Sequence, residues 1–327
     1  MNVGIMGAGR IAVTMAQTLH GISDEAFPYA IASRSQSKAE QFAREHGIQR
    51  AYGSYEAMVA DPAVDLVYIA TPHSEHAANV KLCLEAGKAV LCEKAFTQNA
   101  SQAREIIAMA ESKHILLAEA MWPRYMPSRS IIGETIASGI VGKVTMLSAN
   151  LHYLLTDKER LVKKELAGGA LLDVGVYPID FALMHFGGDV EKIDSSVQFY
   201  HTGVDACETM TLFWRDGRVA ALSSGMLSRS DRKGIFYGDA GYIVVENINN
   251  PQSVSAFDDE DRLIKEWQLP KQITGYEYEV LECKRCLEQG LVECPSMPHK
   301  ATVQMMEILD RLRHRWHLVY PGAGEPI

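Results

Sequence analysis

Apolar residues gather at the start of the chain into a short continuous run, Met1-Asn2-Val3-Gly4-Ile5-Met6, which a glycine turn separates from apolar residues at helical spacing. That is a buried strand followed by an amphipathic helix. The same alternation continues, with a strand at Tyr29–Ala32, a helix near 36–47, a strand at Val64–Ala70, a helix at 74–87, a strand at Ala89–Cys92, a helix at 100–112 and a strand at Ile115–Ala118. Strands that alternate with helices predict an α/β fold with a doubly wound parallel sheet. Beyond residue 120 the pattern changes to longer strands joined by turns, at 143–153, 190–201, 206–215, 217–227, 234–237 and 241–246. These point to an open, mostly antiparallel sheet, with helices at 159–166, 178–186, 277–289 and 299–315 completing an α+β domain. The predicted division is therefore 1–119 and 120–327, with no internal repeat or low-complexity linker. The acidic run Asp258-Asp259-Glu260-Asp261 reads as a solvated hairpin tip.

The first turn, Gly7-Ala8-Gly9-Arg10-Ile11-Ala12, has the form G-x-G-x-x-A between strand and helix. Gly7 permits the tight turn, Gly9 lets backbone approach a pyrophosphate, and Ala12 allows the helix to pack closely on the strand. An anion would then face the helix N-terminus. The end of the second strand bears on which nucleotide binds, because NAD sites place a carboxylate there for the ribose 2′-hydroxyl. Here the sequence is Ser33-Arg34-Ser35-Gln36-Ser37-Lys38, a hydroxyl and two cations without a carboxylate. Charge-assisted hydrogen bonds contribute about 1.5–3 kcal/mol each, enough to favour a 2′-phosphate. The expected cofactor is NADP(H).

At 327 residues the chain suits two domains, and its net charge of -9 argues against nucleic acid or an anionic membrane as partner. The first strand begins at residue 2, which leaves no room for a signal peptide, and no apolar run reaches the ~20 residues of a membrane span. A cytoplasmic location is expected. Six cysteines fit that compartment as reduced thiols. Cys283-x-x-Cys286 lacks a second ligand pair and reads as half-buried thiols, and no metal site is expected.

Chemistry concentrates in two segments. Val90-Leu91-Cys92-Glu93-Lys94-Ala95 ends a parallel strand on the side where open α/β sheets bind ligands. A lysine near a nicotinamide can stabilise a developing alkoxide or move a proton; a strand-end ammonium paired with Glu93 is the structural alternative. Gly168-Gly169-Ala170-Leu171-Leu172-Asp173-Val174-Gly175-Val176-Tyr177-Pro178 reads as a turn entering a helix, with Asp173 and Tyr177 on one face at i, i+4 spacing. An acid beside a phenol can handle a proton; it can equally be a hydrogen-bonded structural pair.

With GAGRIA, ASRSQSKAEQFAREHGIQRAYGSYEAM, AGKAVLCEK, AEAMWPRYMP, GGALLDVGVYPI and GYEYEV in this order, the chain resembles the Gfo/Idh/MocA oxidoreductase family nearly end to end. More narrowly it is similar to the branch of dimeric dihydrodiol dehydrogenases and NADP-dependent D-xylose dehydrogenases. The resemblance implies that Lys94 is the lysine of the family's EKP motif, that Asp173 holds it or the substrate, and that Tyr177 is the catalytic acid. It also implies that Trp122 and Arg124 line the cofactor and substrate cleft. The loop Thr71, Pro72, His73 to His76 would run beside the nicotinamide half. Those two histidines could instead simply start a helix. Ala95 replaces the family's proline, and a non-proline cis bond costs about 2.5–4 kcal/mol, so the Lys94–Ala95 bond is expected to be trans.

The implied reaction is reversible hydride transfer between the nicotinamide and a carbinol carbon of a sugar or cyclic diol, with proton traffic at Tyr177 and Lys94. Two other readings use the same fold: a regulatory protein that senses NADP(H) without turnover, and a nicotinamide-dependent glycosidase. Lys94, Asp173 and Tyr177 together argue against the first; release of an aglycone without net cofactor change would identify the second. A homodimer is also expected. In Glu208–Trp214, Thr209, Thr211 and Phe213 alternate with Met210, Leu212 and Trp214, so that strand shows substantial apolar or neutral surface on both faces, with a buried single-chain core as the alternative to a two-fold dimer.

Overall fold

A computed structural model describes residues 1–323. In its first part Asn2–Met6 forms β1, Arg10–Gly21 α1, Phe27–Ala32 β2, Gln36–His46 α2, Arg50–Tyr52 β3, Tyr55–Val59 α3, Leu66–Ile69 β4, His76–Glu85 α4, Ala89–Glu93 β5, Ala100–Lys113 α5 and Leu117–Ala120 β6. The six strands are all parallel, in the order β3-β2-β1-β4-β5-β6. The order reverses at β1, so the crevice beyond the carboxyl ends of β1 and β4 is the topological switch point at which such sheets bind ligands. Every residue of β4 and β5 is buried, as expected of a parallel sheet covered on both faces. β3 and α3, three and five residues long, are too short to leave a readable period in the sequence.

Local chemistry sets the helix ends. Ser35 caps α2 by accepting from the Lys38 N–H at 3.4 Å, and Gly47 closes it in the left-handed region at φ 63. Asn99 caps α5, accepting from the Gln102 N–H at 2.9 Å, while Gln102 Oε1 accepts in return from the Gln98 N–H. α1 differs. Its N-cap is Gly9, with no capping side chain and no acid in the first turn, which leaves that end open to an anion.

The second part begins with Pro127–Ala137 as α6, Met146–His152 as β7 and Glu159–Val162 as α7. After a 3-10 turn at Lys164–Leu166 and a π turn at Leu171–Gly175, the chain runs through Val176–Phe186 as α8. Seven strands follow: Val190–Phe199 (β8), Asp205–Trp214 (β9), Val219–Gly225 (β10), Gly234–Gly238 (β11), Gly241–Glu246 (β12), Ser253–Asp258 (β13) and Leu263–Gln268 (β14). The chain closes with Glu277–Glu288 (α9) and His299–Arg315 (α10). β7 to β14 make one sheet in the order β14-β13-β12-β11-β7-β10-β9-β8, antiparallel except for the β7–β10 pair. One face is apolar and buried, through Leu147, Ala149, Leu151, Met210, Leu212, Ala220, Leu222, Ile243 and Val254.

The structure corrects several expectations. The chain divides into Met1–Tyr125 with Gln272–Val303, and Met126–Lys271 with the segment from Gln304 onward, rather than once at 119/120. The returning segment belongs with the parallel sheet because it covers that sheet's edge: the Leu117 N–H donates to Val292 O at 3.0 Å, and His299 Nε2 lies 2.9 Å from Leu117 O. A composition shift cannot reveal such a return. The helix expected at 159–166 is broken at Lys163, which is extended. That expected at 178–186 starts earlier, continuous with the π turn. The acidic run does form a hairpin tip, but the strands that flank it, Ser253–Asp258 and Leu263–Gln268, were not expected. Cys283, Cys286 and Cys294 are fully buried free thiols. Lys164–Phe186 is long and apolar enough by length and composition to cross a membrane, against expectation; that window is 94% buried, as in the core helix of a globular domain. The last four residues of the predicted second domain lie outside the described residues.

Candidate active site

At the switch point the glycine turn has the geometry a pyrophosphate needs. Gly7 has φ +103, and a Cβ there would stand 2.9 Å from Ala70 O, so only glycine fits. A Cβ on Gly9 would meet nothing within 4 Å. That space lies in front of the uncapped α1, where Ala8, the exposed Arg10 and Ile11 complete the turn. A dinucleotide phosphate fits both the space and the helix end.

Ser33 is buried at the end of β2, with its N–H donating to Tyr52 O at 3.0 Å. Arg34 and Lys38 are exposed, and no carboxylate forms an ion pair with either among the described residues. Half-buried Tyr55 neighbours Arg34; burial raises its pKa and the guanidinium opposes the rise.

Two loops converge after β4 and β5. Pro72 leads into a 3-10 turn, His73–Glu75, and His73 is buried with its ring edge-on to that of His76 at 5.7 Å. His76 braces the two loops. Fully buried, it sets Nδ1 2.9 Å from Ala95 O and Nε2 2.9 Å from Thr71 O. Burial holds its pKa below the ordinary value against the hydrogen bonds to Thr71 and Ala95, which favour the charged ring, and Lys94's charge adds a lesser lowering. Asn79 Nδ2 donates to Thr71 Oγ1 at 3.0 Å, fixing the same loop.

At the end of β5, Glu93 is buried and accepts from the Tyr68 hydroxyl at Oε1 and from the Lys94 N–H at Oε2, 3.2 Å. The Lys94–Ala95 bond is cis, against expectation. Glu279 of α9, wholly buried beside Glu93, has its carboxyl held well above the usual range by burial first and by the Glu93 charge second. Trp122 and Arg124 lie buried in a 3-10 turn after β6, and Trp122 stacks on Tyr276 with centroids 4.3 Å apart and planes 2° from parallel. Tyr276 and Glu279 belong to the GYEYEV segment. The sequence marked that segment but assigned it no role.

In the second unit Asp173 is buried in the π turn and accepts from Arg160 Nη2 at 2.9 Å. Tyr177 is buried in the first turn of α8. Arg160, Tyr68 and Glu279 are partners that sequence reasoning missed, since contacts between segments far apart in the chain leave no local spacing.

A doubly wound sheet with an open glycine turn at its switch point, before an uncapped helix, carried with an α+β unit that buries an acid and a phenol, fits a dinucleotide-dependent oxidoreductase. Residues 1–120 match the model of the Gfo/Idh/MocA oxidoreductase family with an NAD-binding Rossmann fold, and residues 132–244 match its C-terminal domain. The chain belongs to that family. It is 33% identical to a trans-1,2-dihydrobenzene-1,2-diol dehydrogenase of Danio rerio over 97% of each chain, and 32% identical to that of Homo sapiens, also over 97% of each. Among solved structures, a 3-ketoreductase from Actinomadura kijaniata in complex with NADP and TDP-benzene superposes with a TM-score of 0.86 at 25% identity, covering 96% of this chain and 97% of that one. An aldose-aldose oxidoreductase from Caulobacter crescentus shares the fold, with a TM-score of 0.85 at 18% identity over 96% of each chain.

Proposed function

We propose that this chain is an NADP(H)-dependent oxidoreductase acting on a carbinol carbon of a sugar or cyclic diol. The observation that carries the reading is the relationship, over 97% of each chain, to trans-dihydrodiol dehydrogenases. The exposed Arg34 and Lys38, with no acid at the end of β2, support the phosphorylated cofactor. When bound, the nicotinamide supplies or accepts the hydride. The chain's own part is the proton. A free phenol titrates near 10, and Tyr177 is assigned the role of proton donor when a carbonyl is reduced. Lys94 is assigned the role of stabilising the substrate oxygen as charge develops there. Asp173 acts through its tie to Arg160. Gly7 to Ile11, Ser33, Arg34, Lys38, Thr71, Pro72 and His73 would hold the cofactor, with Glu93, Trp122 and Arg124 around its reactive half. A homodimer in the cytoplasm completes the proposal.

The test is a panel of trans-1,2-dihydrobenzene-1,2-diol, D-xylose and inositol, each with NADP+, followed at the NADPH absorbance. Turnover of at least one is expected, with Tyr177→Phe and Lys94→Ala each slower by about 10²–10⁴, the range of general acid–base assistance. Full activity of Tyr177→Phe would remove that residue from the chemistry. No absorbance change with any substrate, from a protein that binds NADPH, would remove the enzyme reading.

A further inference from the structure

The segment from Gly169 to Tyr177 rests on a buried acidic seat that the reaction itself does not use. Asp205 and Glu208 lie on β9, 0% and 1% exposed. Asp205 Oδ2 accepts from the Leu171 N–H at 2.5 Å, at the first residue of the π turn, and the Ala170 N–H and the Tyr320 hydroxyl also face it. Glu208 Oε1 accepts from the Ser224 hydroxyl of β10, in register with it across the sheet. The two glycines that bracket the turn are fitted to these carboxyls. A Cβ on Gly169 would stand 2.0 Å from Asp205 Oδ1, and one on Gly175 would stand 2.9 Å from Glu208 Oε1 and 3.0 Å from Ser224 Oγ.

We propose that Asp205 and Glu208 are positioning residues, a two-carboxyl seat that fixes the 169–177 turn and through it sets where Asp173 and Tyr177 stand. A structural core has little reason to bury two acids side by side, since each loses its hydration. The pair is held above the usual carboxylate range, Asp205 by burial against the hydrogen bonds that oppose it, Glu208 by burial and then by the Asp205 charge. Like charges this close share a proton as a unit. What the seat provides is directional: an acceptor aimed at the Leu171 N–H, one that an early N–H of a helical turn otherwise lacks. Tyr320 and Arg313 are both buried, with the Arg313 guanidinium 5.2 Å from the Tyr320 ring centroid. The catalytic consequence rests on the assignment of Tyr177 made above; the seating of the turn does not.

The experiment uses the full chain with Asp205→Asn and Glu208→Gln, which keep side-chain shape and remove the acid. Three quantities are read: hydrogen exchange of the peptide containing Leu171, NADPH affinity by fluorescence, and kcat and KM for trans-1,2-dihydrobenzene-1,2-diol. Faster exchange in that peptide is expected, with NADPH affinity unchanged and kcat lower by about 10- to 100-fold, the scale on which small misplacement of a reacting group acts. In a Tyr177→Phe background, Asp205→Asn should cost little more, because the two act as one unit. Unchanged exchange at Leu171 overturns the seat. Faster exchange with unchanged kcat overturns its role in positioning, as does a loss that multiplies fully with that of Tyr177→Phe. A fully active Tyr177→Phe would overturn the assignment of Tyr177 instead, leaving exchange at Leu171 to decide the seat.

Discussion

Arg34 stands exposed one residue past the end of β2, with Lys38 one helical turn further on and no acid between them. Cations in the first turn of a helix oppose its dipole, and neither gains an ion pair in return among the described residues. A phosphate monoester on the ribose would repay that arrangement. NADP(H) is therefore expected to bind more tightly than NAD(H), and Arg34→Asp to erase or reverse the preference. Losing one charge-assisted contact of about 1.5–3 kcal/mol corresponds to roughly a tenfold to hundredfold change in affinity, read by fluorescence titration with each cofactor. Equal affinity of the unaltered protein for both cofactors would sink the idea. At this scale the sequence is legible where local geometry demands a residue type at fixed spacing, as at Gly7, where φ +103 and the nearby Ala70 O admit only glycine. It is silent where function needs a contact made at long range. The contacts of His76 with two backbone carbonyls, Ala95 O and Thr71 O, are of this kind, and no local pattern announces them.

Among the elements, the π turn and α8 show the same boundary between what is local and what is not. The glycine pair and small residues of 168–175 announce a turn into a helix, and there is one; they do not announce that β9 presses acids against it. Gly169→Ala tests this fit directly. At φ +113 with the added Cβ 2.0 Å from Asp205 Oδ1, alanine is expected to cost about 1–3 kcal/mol or more in denaturant unfolding. Gly139→Ala, at φ +69 with nothing within 4 Å, should cost less. Equal losses would mean that backbone conformation alone matters. The acid also leaves a pH signature. Asp205 is pushed up to about 6 from 3.8 and Glu208 beside it is raised too, so the folded pair keeps a proton that the unfolded chain has lost. Stability from this group is therefore fully present below about pH 4 and is lost as pH rises through about 6. Asparagine cannot titrate, so Asp205→Asn should be most destabilising near pH 4 and least so near pH 7, measured by urea unfolding at both. A deficit independent of pH would show that Asp205 is ionised throughout.

For the whole molecule the open question is what covers the second face of the large sheet. Residues that alternate with the buried ones point there: Thr209, Thr211 and Phe213 on β9, Val219, Ala221 and Ser223 on β10, Met146 and Ser148 on β7, Ile235 and Tyr237 on β11. These positions carry no charge, but charges border them: Lys192 and Asp194 of β8 stand opposite Phe213 and Thr211 on the same face, with Lys192 Nζ 5.0 Å from the Phe213 ring centroid. An antiparallel sheet that meets water on one face is expected to alternate apolar with polar or charged side chains, and a large uncharged patch on a protein surface marks an interaction site. Met146 and Tyr237 are 40% and 36% exposed, so the patch reaches the surface. The occupant that requires no second gene product is another copy of the same face, related by a two-fold axis, because an isologous contact is self-complementary. A stable pairing buries about 800 Å² per partner, which a few strands of this face can supply. Light scattering at micromolar concentration should therefore return a dimer. Thr211→Asp and Phe213→Asp would each place an ionised carboxylate in that contact and should yield folded, soluble monomers. Because the glycine turn and the Arg34 and Lys38 pair lie in the first unit, those monomers should still bind NADPH with unchanged affinity. An unaltered protein that runs as a monomer would refute the pairing, and so would Asp variants that remain dimeric.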